Sequence, residues 1–269
     1  MNKYYNEHST ILVTGASSGI GKCLSKLLVE KYGAKVIGVA RSEEKLNSVK
    51  ELLGDNFTPI IADVSKEEDW IALLNYVESN NINLTGVINC AGVLPEFSNF
   101  NGEYFDKNER VIKINYYSVI YSAKHFLPAL EKAEKPIMIN VSSSSSLCPF
   151  AGITLYSSSK AGVERFSECL SAENKKVRVV TVMPGFTKTD VLRSQSATEK
   201  EKGLIDKISA NPIKVAKKIL RRSRRKKRII TGFDAHLMNF MFKFFPRTAP
   251  RLIGWFLRKT KMEIFNKMQ

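Results

Sequence analysis

Six short apolar runs, separated by segments of helical length, constrain the fold of this chain more than any other feature. The runs are nearly continuous and rich in β-branched residues, as is typical of strands buried on both faces of a parallel sheet. They span residues 10–15, 35–40, 57–63, 86–92, 136–142 and 177–185, and helices are predicted between them over 19–32, 42–53, 66–80, 106–131 and 156–173. This alternation predicts an α/β fold built on a doubly wound parallel sheet.

Length and cysteine usage indicate the class of protein. A chain of 269 residues suits one large α/β domain and is short for two. The cysteines lack metal or redox spacing, the histidines lack metal-ligand partners, and the first residues lack the apolar core of a signal peptide. No apolar run approaches the length of about 18 residues that a membrane-spanning helix needs. We therefore expect a reduced, cytoplasmic protein without a metal site and without a membrane span.

The glycine-rich stretch TGASSGIG, residues 14–21, closes the first predicted strand and opens the first predicted helix. Gly15 would permit the tight turn, Gly19 would let the backbone approach a pyrophosphate, and Gly21 would let helix and strand pack closely. The start of the helix would offer free N–H groups to the anion. The stretch predicts a dinucleotide site.

The end of the second predicted strand indicates which dinucleotide is bound. An acidic residue there usually binds a free ribose 2′-hydroxyl, but this chain has Ala40 followed by Arg41. A guanidinium can pair with a 2′-phosphate. The residues favour NADP(H) over NAD(H), although an exposed arginine with no ligand remains the alternative.

Tyr156 and Lys160 in the stretch YSSSK stand four residues apart, which places them on one face of a helix. A neighbouring ammonium favours the phenolate and would lower the pKa of the tyrosine toward neutral pH. The tyrosine could then exchange a proton with the oxygen of a carbonyl or an alcohol. A tyrosine and a lysine at this spacing are more often a solvated pair, so this motif alone is weak.

Five motifs in order make the chain resemble the short-chain dehydrogenase/reductase family, from residue 10 to about residue 232. They are Thr14–Gly21, Asp63–Val64, Asn89–Gly92, Tyr156 with Lys160, and Pro184–Gly185. The resemblance implies a single-domain Rossmann fold. It also implies a catalytic set of Ser143, Tyr156, Lys160 and Asn115, with the asparagine holding a water that links the lysine to solvent. The cofactor contacts it implies, together with the glycine loop and Arg41, are Gly15, Ser17, Ser18, Gly19, Ile20, Gly21, Asp63, Val64, Asn89, Ala91, Gly92, Tyr156, Lys160, Pro184, Gly185, Thr187 and Thr189.

Two positions depart from the pattern of the family. Cys90 stands where a second asparagine is usual, next to Asn89. The serine run over residues 142–146 leaves Ser142 as a rival to Ser143, although the spacing from the tyrosine favours Ser143.

Basic residues concentrate at the end of the chain. Of the net charge of +16, residues 221–269 carry +12, with 14 Lys and Arg against Asp234 and Glu263. The basic run at 221–228 is expected to be a solvated turn before a last strand at 228–232, and aromatic-rich amphipathic helices are expected beyond it. We therefore divide the chain into a catalytic domain, 1–232, and a helical extension, 233–269.

Three roles compete for residues 221–269. Nucleic-acid binding has no supporting motif, and we expect none. The segment could cover the core or a contact between copies of a homo-oligomer, or it could lie peripherally on an anionic membrane surface. The last two are close, and the amphipathic pattern with tryptophan and phenylalanine slightly favours the membrane.

The sequence as a whole predicts an NADP(H)-dependent oxidoreductase that interconverts a ketone and a secondary alcohol on a bulky, apolar, steroid- or lipid-like substrate. The alternative is a catalytically idle protein that senses NADPH or scaffolds a membrane complex. Substrate choice is expected to lie in residues 94–105, 147–155 and 190–210, with Phe150 as a candidate contact.

Overall fold

Seven parallel strands form one sheet in the order β3-β2-β1-β4-β5-β6-β7. The computed structural model describes residues 4–149, 151–189, 198, 201, 203, 207, 209–260, 262, 263 and 265. The strands are β1 (Thr10–Thr14), β2 (Lys35–Ala40), β3 (Phe57–Ile61), β4 (Gly86–Asn89), β5 (Ile137–Val141), β6 (Arg178–Pro184) and β7 (Arg228–Thr231). The predicted doubly wound α/β fold is confirmed, and β1 and β4 meet where the strand order reverses.

Helices connect the strands and cover both faces of the sheet. They are α1 (Gly19–Tyr32), α2 (Glu43–Leu53), α3 (Glu67–Ser79), α4 (Gly102–Asn108), α5 (Arg110–Ile112), α6 (Ser118–Leu130), α7 (Ser144–Leu147), α8 (Thr154–Glu173), α9 (Pro212–Ser223), α10 (Phe233–Phe244) and α11 (Ala249–Lys259). Their ends follow local chemistry. The side chain of Asn211 caps α9 ahead of Pro212, and Gly33 ends α1 in the left-handed conformation, with φ 66°.

One predicted helix is interrupted. The sequence predicts a single helix over 106–131, but the structure has α4, α5, a π-helical turn (Lys113–Tyr117) and then α6. Turns of this kind often mark functional positions in helices. Here the wider turn carries Asn115 with its side chain on the backbone of Val93.

Two apolar clusters fix the sheet between its helical layers. On one face, α1 and α9 bury residues such as Leu24, Leu28 and Ile219 against the central strands. On the other, Trp70 and Phe126 pack edge to face at 6.1 Å between α3 and α6. Because all strands run parallel, their carboxyl ends meet at one edge of the sheet, and the loops at that edge are where a site is expected.

The basic run, residues 221–228, lies at the opposite edge. It joins the end of α9 to the amino end of β7. Arg228 pairs with the buried carboxylate of Glu164 at 2.9 Å, and Lys227 contacts the carbonyl of Ser171 at 3.4 Å. The run and the extension that follows β7 were expected to act as one surface, but the sheet separates them.

The helical extension packs onto the domain. Ala235 of α10 lies in a buried cluster with Leu147, Met183 and Ile230, so the start of α10 is anchored against β6, β7 and α7. Among the described residues, no helix is both long and apolar enough to cross a membrane.

Candidate active site

Three glycines shape the loop between β1 and α1. Gly15 has φ +68°, and a Cβ there would lie 3.0 Å from the backbone of Ala91. A Cβ on Gly21 would stand only 2.2 Å from the carbonyl oxygen of Gly15, and one on Gly19 would stand 3.0 Å from Thr189. Only glycine fits at these positions, and the space that remains suits the close approach of a pyrophosphate.

Thr14, at the end of β1, ties this loop to the neighbouring strand. Its hydroxyl oxygen accepts hydrogen bonds from the backbone N–H groups of Cys90 and Ala91, at 3.0 and 3.1 Å. Sequence reasoning treated Thr14 only as part of the glycine motif and missed this link. The contact holds the ends of β1 and β4 together under the cleft.

Asn89 supports the centre of the sheet. Its amide donates to the Oδ1 of Asn140 at 2.8 Å, and Asn140 in turn donates to the hydroxyl of Ser167 at 2.9 Å. The three side chains are buried and join β4, β5 and α8. Asn89 therefore supports the strands beneath the site and is not among the residues that line either cleft, so its predicted contact with the cofactor stays a prediction.

Two adjoining clefts open at the carboxyl edge of the sheet. The first, which we call the tyrosine cleft, has a volume of about 170 Å³, and the second, the arginine cleft, has about 260 Å³. Predicted residues that line the tyrosine cleft are Ser18, Gly19, Ile20, Gly21, Ser143, Tyr156, Lys160, Pro184, Gly185, Thr187 and Thr189. Those that line the arginine cleft include Ser17, Arg41, Asp63 and Val64. Gly15, Ser18, Ala91 and Gly92 border both, so the two form one elongated site.

The arginine cleft is more basic than the sequence indicates. The carboxylate of Asp63 accepts hydrogen bonds from the N–H and hydroxyl of Ser65, at 3.1 and 2.7 Å, and pairs with Arg110. Burial raises the pKa of Asp63, but Ser65 and the cations Arg110 and Arg41 lower it below its usual value. Arg110 was missed because it stands 47 residues away along the chain. Arg41 lines the cleft, where a 2′-phosphate could reach its guanidinium.

Tyr156, Ser143 and Lys160 come together in the tyrosine cleft. Burial raises the pKa of the Tyr156 hydroxyl, and an interaction with the side chain of Ser143 opposes this in part. The tyrosine pKa was predicted to fall toward neutral pH, but in this structure the effect of burial is the largest and the net shift is upward. The phenol keeps its proton at neutral pH, as a proton donor must.

Lys160 is almost fully buried beneath the tyrosine. Its ammonium lies 6.0 Å from the centre of the Tyr156 ring and donates to the carbonyl of Val141 at 3.0 Å. Burial lowers the pKa of Lys160 to about 8. A Cβ on Gly92 would stand 3.2 Å from this ammonium, so the glycine leaves room for it.

Ser142 and Ser143 make different contacts. The hydroxyl of Ser142 donates to the carbonyl of Lys160 at 2.7 Å and so fastens β5 to α8. Ser143, which caps α7 by accepting from the N–H of Ser145 at 3.2 Å, is the serine that influences the tyrosine. The geometry therefore favours Ser143 as the substrate-facing hydroxyl.

Asn115 clamps the loop that follows β4. Its side chain accepts from the N–H of Val93 at 2.8 Å and donates to the carbonyl of the same residue at 2.9 Å. The amide also donates to the hydroxyl of Ser159 at 3.2 Å. These contacts position the wall of the cleft, and the predicted role in holding a water stays a prediction.

Asp234 is a positioning residue that sequence reasoning missed. Its carboxylate accepts from the N–H of Phe186 at 2.7 Å. A Cβ on Gly185 would stand 2.1 Å from this carboxylate, and one on Gly232 would stand 2.4 Å from it. Two glycines thus leave room for one acidic side chain, which holds the loop after β6 against the start of α10.

Apolar side chains close the outer end of the tyrosine cleft. Phe97 and Ile153 line the cleft and form a buried cluster, against which Tyr156 and side chains of α10 and α11 pack. The members that pack around this pair are Leu94, Tyr156, Met238, Ile253, Leu257, Met262 and Phe265. Phe150, the predicted substrate contact, and most of the predicted specificity segment 190–210 lie outside the described residues.

Residues 9–200 match the family model of the short chain dehydrogenases. An uncharacterized oxidoreductase of Saccharomyces cerevisiae is 32% identical over 182 residues, which cover 67% of this chain and 71% of the relative. The very-long-chain 3-oxoacyl-CoA reductase of Mus musculus is 30% identical over 196 residues, 70% of this chain and 62% of the relative.

A solved structure supports the same fold. It is a short chain dehydrogenase from Burkholderia cenocepacia in complex with NADP, with a TM-score of 0.78 and 21% identity. The match covers 93% of this chain and 98% of that chain. The family match and the Saccharomyces cerevisiae relative show that the chain belongs to the short-chain dehydrogenase/reductase family of oxidoreductases.

Proposed function

We propose that this protein is an NADP(H)-dependent reductase that converts a ketone on a bulky, apolar substrate into a secondary alcohol. The observation that carries the proposal is the Tyr156 hydroxyl, which lies with Ser143 and Lys160 in a cleft whose outer end is apolar. A protein that only binds a dinucleotide would not need this arrangement.

The residues of the chain supply proton transfer and orientation. When bound, the nicotinamide cofactor supplies the hydride that reduces the carbonyl carbon. Ser143 would hold the carbonyl oxygen by a hydrogen bond, and Tyr156 would give that oxygen its proton, so that the product is an alcohol. The ammonium of Lys160 would stabilise the phenolate that remains.

The preference for NADP(H) rests on charge. The arginine cleft has Arg41 at the end of β2, and the single acid there, Asp63, is already occupied by Ser65 and Arg110. No lining carboxylate is thus free to accept a ribose 2′-hydroxyl or to repel a phosphate. A 2′-phosphate would gain a charge-assisted contact with Arg41.

The apolar character of the substrate is inferred from the side chains at the outer end of the tyrosine cleft. Leu94, Phe97 and Ile153 line the tyrosine cleft, and Met238, Ile253 and Leu257 of α10 and α11 pack in the same apolar cluster. Each methylene that such a wall removes from water contributes about 0.8 kcal/mol. We therefore expect kcat/KM to rise about fourfold with each carbon added to a linear ketone, until the wall is filled.

Cofactor titrations and a series of ketone substrates, each applied to the parent and to a variant, test the proposal. NADPH should bind more tightly than NADH, and Arg41→Asp should reverse that order because it replaces attraction of the 2′-phosphate by repulsion. A series of ketones of increasing chain length should then be reduced with rising kcat/KM, and Leu94→Ala, which shortens a side chain that lines the tyrosine cleft, should flatten the rise. Tight NADPH binding with no turnover of any ketone would instead favour the idle, NADPH-sensing alternative.

A further inference from the structure

We propose that the outer face of α10 and α11 docks on a bilayer that contains acidic phospholipid, and that the apolar substrate enters the cleft from that bilayer. The docking is inferred from the exposed residues of α10 and α11 alone. The entry of the substrate from the bilayer rests, in addition, on the proposed function.

The outer face consists of large apolar side chains that the fold leaves in water. Eight of them are exposed: Phe233, Leu237, Phe240, Phe244, Phe245, Leu252, Trp255 and Phe256. Phe233 is 84% exposed and Phe256 is 62% exposed. On α10 the spacing of residues 233, 237, 240 and 244 forms one stripe along the helix. Other exposed large apolar side chains, such as Leu52 and Ile71, lie on separate elements, so the concentration of eight of them on α10, α11 and the turn between these helices marks an interaction surface.

These side chains are not required for packing, because the opposite faces of the two helices already do that work. Met238 of α10 and Ile253 and Leu257 of α11 pack against the cluster of Phe97 and Ile153, two residues that line the tyrosine cleft. An ordinary surface helix needs only one apolar stripe. Here α10 and α11 have two, and the second has no partner among the described residues.

Exposed cations lie on the same two helices and on the turn between them. Lys243, Arg247, Arg251, Arg258 and Lys259 are exposed, and residues 243–260 contain no acidic residue. The ammonium of Lys259 lies 4.3 Å from the centre of the Trp255 ring. Tryptophan and phenylalanine combined with lysine and arginine are typical of helices that lie in a membrane interface.

A groove beside α11 suits a lipid phosphate. It has a volume of about 650 Å³, runs between α11 and the start of α8, and is lined by Arg251, Trp255 and Arg258. No carboxylate is among its described lining residues. Two guanidinium groups beside hydroxyl-bearing Thr154 and Ser158 could bind a phosphate through charge-assisted hydrogen bonds.

Charge favours a membrane over a second copy of the chain. A twofold interface brings the same patch of each copy together, so the cations of one rim would face the cations of the other, which is unfavourable. An anionic lipid surface is complementary to the same rim. Docking would also place the inner wall of α10 and α11, and hence the cleft, next to the lipid phase.

Sedimentation with vesicles tests the docking. The full-length protein with NADPH bound should sediment with vesicles of phosphatidylcholine and phosphatidylserine, and less with phosphatidylcholine alone. Removal of three rim cations by Lys243→Gln, Arg251→Gln and Arg258→Gln should weaken binding about a hundredfold at low salt.

The basic run provides the matched control. Arg224→Gln, Arg225→Gln and Lys226→Gln remove the same charge from the opposite edge of the sheet, and binding should stay within about threefold of the parent. If the two triple variants lose binding equally, only overall charge matters and the proposal is overturned.

A second pair of variants tests the apolar part. Phe240→Ser with Phe244→Ser should make the remaining binding fully reversible in high salt, whereas the parent should stay partly bound. Leu52→Ser with Ile71→Ser, which changes exposed apolar residues elsewhere, should behave like the parent.

Light scattering separates the rival occupants. The proposal would be overturned if the parent protein does not bind acidic vesicles but forms dimers, and if Phe240→Ser with Phe244→Ser dissociates these dimers. The outer face would then be a contact between copies of the chain. NADPH titration of every variant distinguishes the docking proposal from the proposed reductase function. A variant that loses docking should keep its affinity for NADPH. If no ketone is reduced, sedimentation with vesicles should be unchanged.

Discussion

Replacement of Asp234 should loosen the floor of the cofactor site, although this residue belongs to the helical extension. Its carboxylate accepts from the N–H of Phe186 at 2.7 Å and stands at the first turn of α10. A hydrogen bond to a charged group contributes about 1.5–3 kcal/mol, and a carboxylate at a helix start contributes about 0.3–1 kcal/mol. Because Asp234 is partly exposed, we expect the lower end, so Asp234→Ala should cost about 2 kcal/mol.

The variant should affect both stability and cofactor binding. For a chain of this size, 2 kcal/mol corresponds to a fall in melting temperature of about 5 °C. The loop after β6 carries residues that line the tyrosine cleft, so NADPH must re-order it on binding, and the dissociation constant should rise about tenfold. Asp234→Asn keeps an acceptor for the N–H of Phe186 and should lose about half as much.

Thermal melts and NADPH titrations measure both effects. Asp106→Ala, which removes an exposed acid from α4, is the matched control and should change neither quantity. If Asp234→Ala melts and binds NADPH as the parent does, the carboxylate does not position the loop, and the space that Gly185 and Gly232 leave for it needs another explanation.

Two further substitutions probe other parts of the site. Gly21→Ala would place a methyl group 2.2 Å from the carbonyl oxygen of Gly15, so it should cost about 1–3 kcal/mol of stability and weaken NADPH binding at least about tenfold. In the control Gly102→Ala, the added methyl group would meet no atom within 4 Å, and NADPH should bind as it does to the parent. Lys160→Met should raise the free energy of unfolding of the cofactor-free protein at pH 7 by about 3 kcal/mol, because burial lowers the lysine pKa from 10.5 to about 8 and the charged form is costly. As the pH rises from 8 to 10.5, the native lysine loses its proton before the unfolded one, so the advantage of the variant should shrink. Unfolding curves of both proteins across this range check the sign, and a constant difference would contradict it.

The strands could be predicted from sequence because buried parallel strands are continuous apolar runs. The run at 35–40 matches β2 in both bounds, and the others exceed their strands by one to three residues. Glycine positions were equally readable, since their backbone conformation or close packing permits no other residue. The strands of the sheet and the phosphate-binding loop can therefore be predicted from local sequence patterns.

Contacts between distant residues could not be read in the same way. Asp234 and Phe186 are 48 residues apart, and Asp63 and Arg110 are 47 apart, so no local spacing links them. The π-helical turn at Asn115 also has no periodic signature, because it widens one turn inside an otherwise helical pattern.

The extension shows a different limit. Its two helices were expected from their amphipathic pattern, and the structure has both. The pattern could not say which stripe packs on the domain, because Ile253 with Leu257 and Leu252 with Phe256 are equally apolar pairs. In the structure the first pair packs against the cluster of Phe97 and Ile153, and the second faces solvent.

Single-turnover kinetics with a long-chain ketone test the central claim most directly. Enzyme loaded with NADPH would be mixed with the ketone, and loss of the reduced nicotinamide would be followed by its absorbance. Tyr156→Phe keeps the ring and removes the proton donor, so NADPH should bind as in the parent while the rate falls about 10²–10⁴-fold. Reduction of the ketone by this variant at the parent rate would show that Tyr156 does not supply the proton and would contradict the proposed mechanism.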